Sequence, residues 1–170
     1  MTLDQLNRLP LAEARAAVER CCGAAAWVET MCAARPYADR DALWTAAERA
    51  AASLAEPDWR QAFAHHPRIG DAAALRERFA ATAAWAGDEQ RGANAAGEAT
   101  IQALAAGNQE YERKFGHIFI VCATGKSADD MLGLLRERMA NDPATEIGLA
   151  AAEQRKITRL RLEKLLAESA

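Results

Sequence analysis

His117-Ile118-Phe119-Ile120-Val121-Cys122-Ala123 is the run whose reading decides the fold class. It is β-branched and nearly all apolar, so it reads as extended chain in a sequence otherwise rich in alanine. A strand needs a partner to satisfy its backbone groups, and the 170 residues hold no second strand-like run to pair with it. The segment is therefore expected to be a short buried extended stretch inside an all-α protein.

On either side of it the apolar residues recur at helical spacing. Before it, a long helix over about 96–114 stops at Gly116, and after it Ser127 caps a helix to about Ala140. Pro143 opens the last helix, to about Ala167. In the N-terminal part, Pro10 opens a helix through Cys22 with Gly23 as its stop, and a second runs from about 24 to 34, ahead of Pro36. Asp39 caps a third, to about Leu54, with Leu43, Trp44, Ala47 and Ala51 on one side. Pro57 starts a short helix carrying Trp59 and Phe63. After Asp71 a helix covers about 72–79, then shorter helical pieces pass through Trp85 and Asp88-Glu89-Gln90 to Gly92. The expectation is a single domain over residues 1–170, a bundle of about eight to ten helices.

Composition narrows the function. The net charge is −3 with both signs interspersed, so no basic field recruits nucleic acid or an anionic membrane. No apolar run approaches the ~20 residues that span a bilayer, and Met1-Thr2-Leu3-Asp4 lacks the basic start of a secretory signal. A cytoplasmic protein is expected. Cys21 and Cys22 are adjacent, Cys32 stands alone and Cys122 sits in the apolar run, with no CxxC pair, so the cysteines read as reduced structural thiols.

The chemistry concentrates at His65-His66-Pro67-Arg68-Ile69-Gly70. Proline disfavours helical geometry in the residue before it, so His66 leaves the preceding helix at a forced break. An imidazole held there, titrating near neutrality, is a candidate acid or base, with a hydrogen bond to a backbone carbonyl as the bland alternative. His65, one position earlier, reads as surface, and His117 as packing or a carbonyl partner. On the last helix Arg161 falls between Ile147 and Ile157 on the apolar side. A guanidinium there needs either a carboxylate partner or an anionic ligand. Asp88-Glu89-Gln90 alone reads as acidic residues serving a helix dipole. Adjacent histidines cannot easily ligate one ion, and no HExxH, GxSxG, P-loop or GxGxxG is present. What remains is cofactor-free acid-base chemistry, with no metal.

His66-Pro67-Arg68-Ile69-Gly70, Glu89-Gln90, Tyr111-Glu112-Arg113-Lys114-Phe115-Gly116, Phe119-Ile120-Val121-Cys122-Ala123, and Lys156-Ile157 with Leu160-Arg161-Leu162 form an ordered set. Over about residues 60–165 that set resembles the 2-oxo-4-hydroxy-4-carboxy-5-ureidoimidazoline (OHCU) decarboxylases of urate degradation. The resemblance implies an all-helical homodimer without metal or organic cofactor. It also implies a small anionic ureidoimidazoline substrate that loses carbon dioxide to give (S)-allantoin. By position it makes His66 the catalytic histidine and Glu89 its acidic companion. Pro67, Gln90, Arg161 and the backbone of Phe119, Ile120, Val121, Cys122 and Ala123 would line the substrate site. Many members carry serine where this chain has Ala86, so that polar contact is absent or replaced. A ureide-binding module without turnover and a lyase or tautomerase on a related ring remain as alternatives. No segment resembling the preceding hydrolase of the pathway is expected to be fused to the chain.

Overall fold

The structure, a computed structural model, describes residues 1–66, 72, 73, 75–77 and 90–167, and for 90–96 the backbone alone. Eight helices carry defined bounds: α1 Leu3–Arg8, α2 Leu11–Glu19, α3 Ala25–Ala33, α4 Arg40–Ala52, α5 Glu56–Ala64, α6 Gln90–Phe115, α7 Ala128–Arg138 and α8 Pro143–Ala167. Among the described residues there is no strand. None of the described helices is long and apolar enough to cross a membrane.

The ends of these helices follow local side-chain chemistry. Asp39 accepts from Ala42 N–H at 2.7 Å, satisfying a donor that the first turn of α4 would leave orphaned. Ser127 and Asp130 form a reciprocal capping box on α7. Gly116, at φ 71°, ends α6 in a left-handed conformation that only glycine adopts without strain. The stretch after it runs without regular structure to Ala123, as expected of a lone extended segment. His117 and Ile120 are buried, while Ile118, Phe119, Val121, Cys122 and Ala123 are half-buried.

Three helix boundaries differ from expectation. A Thr2–Gln5 capping box starts α1, where no helix was expected. The helix opened by Pro10 ends at Glu19, and both Cys21 and Cys22 turn back to the Val18 carbonyl. The piece ending at Gly92 and the helix from 96 are one element, α6, unbroken from Gln90. A helical glycine costs only about 1 kcal/mol against alanine, and a run of good helix formers on either side carries the helix through it. The helix expected over 72–79 lies partly outside the described residues.

The described chain falls into two compact units. The first comprises residues 1–66, 120–122 and 147–170, with Leu6, Val18, Trp27, Met31, Leu43, Phe63, Ile120 and Leu162 in its core. The second comprises 67–119 and 123–146, where α6 packs along α7 over Leu104, Tyr111, Phe115, Leu132 and Leu135.

The glycines of α6 and α7 give opposite expected outcomes. A Cβ on Gly133 meets nothing within 4 Å, so Gly133→Ala is expected to stabilise the chain by about 0.5–1 kcal/mol through backbone entropy. At Gly107 a Cβ would come 2.6 Å from Leu135 Cδ2, so that side chain, only 1% exposed, would have to shift inside the packed interior. Overpacking of about 1–3 kcal/mol outweighs the same helix gain there, so Gly107→Ala is expected to destabilise. Urea unfolding of the two variants checks both signs; a shared sign would show that the α6–α7 contact is not close-packed.

Candidate functional site

His66 is placed by the end of α5. Pro57 lies in the first turn of that helix, His65 is its C-cap, and His66 N–H still reaches the Phe63 carbonyl at 3.1 Å. The chain leaves the helix at His66, as the proline after it requires. His65 is exposed but not idle. Its ring lies over Gly23 so closely that a Cβ there would come 2.1 Å from its Cγ. Gly23 thus lets the end of α5 seat on the turn between α2 and α3.

That ring is held from both nitrogens. His66 Nε2 lies 2.6 Å from Gln154 Oε1, and Nδ1 lies 3.4 Å from Arg161 Nη2. Gln154 and Arg161 both project from α8. Arg161 is half-buried, as its apolar-side position implied, and its Nη1 donates to the Arg20 carbonyl at 3.4 Å. Gln154 is fully buried and donates through Nε2 to Thr158 Oγ1 at 3.2 Å. The buried stripe of α8 runs through Ala150, Gln154, Thr158 and Leu162, and Ile147 and Ile157 on the same side are half-buried.

Burial holds the His66 imidazole below its ordinary value of 6.5. The Arg161 cation and His65 push the same way, and the Gln154 hydrogen bond opposes them. The ring is therefore neutral near pH 7, beside a permanent cation. The four cysteines are free thiols; burial pushes Cys21 up to about 12 and also raises Cys22.

In the same unit, Ile120, Val121 and Cys122 are tied to α8, because Cys122 N–H donates to Glu153 Oε2 at 2.7 Å. In the second unit Phe119 packs edge-on against Tyr111 at 5.1 Å and lies 4.8 Å beneath the Arg138 guanidinium. Ala123 is half-buried. His117 is a packing residue, with Nδ1 3.0 Å from the Ile118 carbonyl and its ring edge-on to Tyr111. Pro67, Ala86 and Glu89 lie outside the described residues, and Gln90 is described only as the first residue of α6. Sequence reasoning missed Gln154. Its polarity on the core stripe of α8 was the available signal.

The chain matches the family model of OHCU decarboxylase over residues 7–163. It is 37% identical over 153 residues to the uric acid degradation bifunctional protein TTL of Arabidopsis thaliana, a match covering 88% of this chain and 46% of that protein. The 2-oxo-4-hydroxy-4-carboxy-5-ureidoimidazoline decarboxylase of Amia calva is 37% identical over 59 residues, 35% of this chain and 34% of that one. The chain therefore spans less than half the length of the Arabidopsis relative. Its fold resembles the crystal structure of OHCU decarboxylase in the presence of (S)-allantoin, with a TM-score of 0.68 at 34% identity, covering 88% of this chain and 96% of that one. The structure of (S)-allantoin synthase shares the fold at the same TM-score with 17% identity, covering 98% of this chain and 54% of that one.

Proposed function

This chain belongs to the OHCU decarboxylase family, and on that premise we propose that it converts 2-oxo-4-hydroxy-4-carboxy-5-ureidoimidazoline to (S)-allantoin and carbon dioxide. The observation that carries the reading is the pairing of a neutral His66 imidazole with the Arg161 cation at 3.4 Å. An anionic substrate supplies what that pair lacks. Arg161 has five N–H donors, more than its contacts to Arg20 and His66 use, and presents them as a planar fork.

The chemistry follows from the bonds that change. The carbon–carbon bond to the carboxylate breaks, and its electron pair moves into the adjacent ring imine. The imine nitrogen that takes up the electrons picks up a proton, and the former imine carbon is then protonated on one face while the hydroxyl proton leaves and its oxygen becomes a carbonyl. The Nδ1 lone pair of His66 is suited to receive the hydroxyl hydrogen. Its 3.4 Å approach to Arg161 is long for a hydrogen bond, so a substrate hydroxyl displaces it at little cost. In this reading Glu89 sets the protonation of His66 and stands near the reacting centre. Arg161 and the main chain of 119–123 hold the ureido and ring carbonyl oxygens, with Pro67, Ala86 and Gln90 on the pocket wall. A homodimer in the cytosol is part of the same proposal.

Circular dichroism of a freshly oxidised urate mixture tests the activity. The protein is expected to speed the appearance of one allantoin enantiomer. Racemic decay at the spontaneous rate would instead make the chain a ureide-binding module.

A further inference from the structure

Arg161 fixes the proton on His66 by an argument of elimination. A guanidinium is a donor only, so the His66 nitrogen facing it, Nδ1, must present a lone pair. In a neutral ring the proton then sits on Nε2, and the group 2.6 Å from Nε2 must be an acceptor. Gln154 can meet that demand only with its carboxamide oxygen, which turns its NH2 toward Thr158 Oγ1 at 3.2 Å. With the opposite amide orientation a neutral ring would set two donors face to face at one end or the other, at Gln154 if Nε2 is protonated and at Arg161 if Nδ1 is. Every link from Arg161 to Thr158 therefore agrees with one assignment.

We propose that Gln154 is a positioning residue for the reaction: its buried oxygen locks His66 as the Nε2–H tautomer and aims the Nδ1 lone pair at the substrate beside Arg161. A glutamine suits this task where a carboxylate would not. It is neutral, so it orients the ring without drawing a second proton onto it, and Nδ1 stays a base next to a cation. It is also fully buried and anchored at its far end, so the ring cannot turn over without breaking two hydrogen bonds inside the protein. Among the described residues, the charged and titratable groups acting on His66 are Arg161 from α8 and His65 from the end of α5.

The proposal rests on the decarboxylase reading, and its experiment separates the two. Nitrogen-15 imidazole correlation spectra of the full chain, with His66 assigned by its loss in His66→Asn, are expected to show a protonated Nε2 and an unprotonated Nδ1 at neutral pH. A protonated Nδ1 overturns the proposal. Gln154→Leu is expected to mix the tautomers and lower kcat about 10–100-fold with KM little changed, the scale on which residues that orient an imidazole act. Gln154→Glu places a carboxylate against Nε2–H and is expected to move the acid limb of the kcat/KM profile upward by about one pH unit or more. A residue with a structural role alone would lower the melting temperature while leaving tautomer and acid limb in place, and that result also overturns the proposal. A wild-type chain that never speeds (S)-allantoin formation overturns the decarboxylase reading, and with it the role in turnover.

Discussion

His66→Ala is expected to slow (S)-allantoin formation by about 10²–10⁴-fold, the usual contribution of a positioned general acid or base. Among the described residues His66 Nδ1 is the basic nitrogen that faces Arg161, so its loss removes the group that receives the substrate hydroxyl. The substitution also leaves the buried Gln154 oxygen without its donor, at a cost of about 1–3 kcal/mol in stability. His66→Asn, which keeps an N–H near that oxygen, separates the two effects. Both variants should lose turnover, and the asparagine form should melt closer to wild type. Retention of near wild-type rates by His66→Ala would remove the histidine from the mechanism. The pH dependence has a definite sign. Because the folded value lies below the ordinary 6.5, the active neutral ring persists through neutrality, and kcat/KM should fall only on the acid side of 6.5. Stability follows the same group. Below 6.5 the unfolded chain takes up the proton before the folded one does, so the contribution is fully present above 6.5 and is lost as pH falls toward the folded value.

What could be read in the sequence was what local chemistry decides. Asp39, Pro57, Ser127, Pro143 and Gly116 each act on their own backbone within a turn, so the ends of α4 to α8 were legible, apart from the start of α6. The all-α class followed from the single extended run, because a strand without a partner cannot make a sheet. His66 and Arg161 were legible for similar reasons, one by a forced break and one by its helical face. Gln154 was not. It meets His66 across 88 residues of sequence, and a glutamine in an alanine-rich helix gives no local sign of which partner it will find. The same limit hid α6 around Gly92, where the tolerance of a helix for one glycine depends on its neighbours, and it hid the ion pair that closes the second unit.

That pair carries the other large expected effect: Arg138→Met should destabilise the chain by about 3–5 kcal/mol, the cost of leaving a buried charge without its counterion. Glu146 is fully buried, and Arg138 donates to its Oε1 through Nε at 2.8 Å and Nη2 at 2.5 Å. Asn141 Nδ2 donates to Oε2 at 2.8 Å, and the Tyr111 hydroxyl donates to Oε1. Burial, with Glu146 second, holds that phenol well above its ordinary range, so it remains a donor at any working pH. For a chain of this size the loss corresponds to a melting temperature lower by about 6–20 °C, readable by calorimetry. Removing both charges together, in Arg138→Met with Glu146→Leu, should recover a good part of it, since an apolar replacement has no charge to desolvate. A double variant as unstable as the single one would show that the hydrogen bonds to Tyr111 and Asn141 matter more than the pair. The consequence reaches the extended segment. Arg138 lies over the Phe119 ring at 4.8 Å, and Phe119 opens the run 119–123 whose main chain is proposed to hold substrate. Arg138→Met should therefore raise KM as well as lower stability, and an unchanged KM below the melting transition would show that the segment keeps its position without the guanidinium.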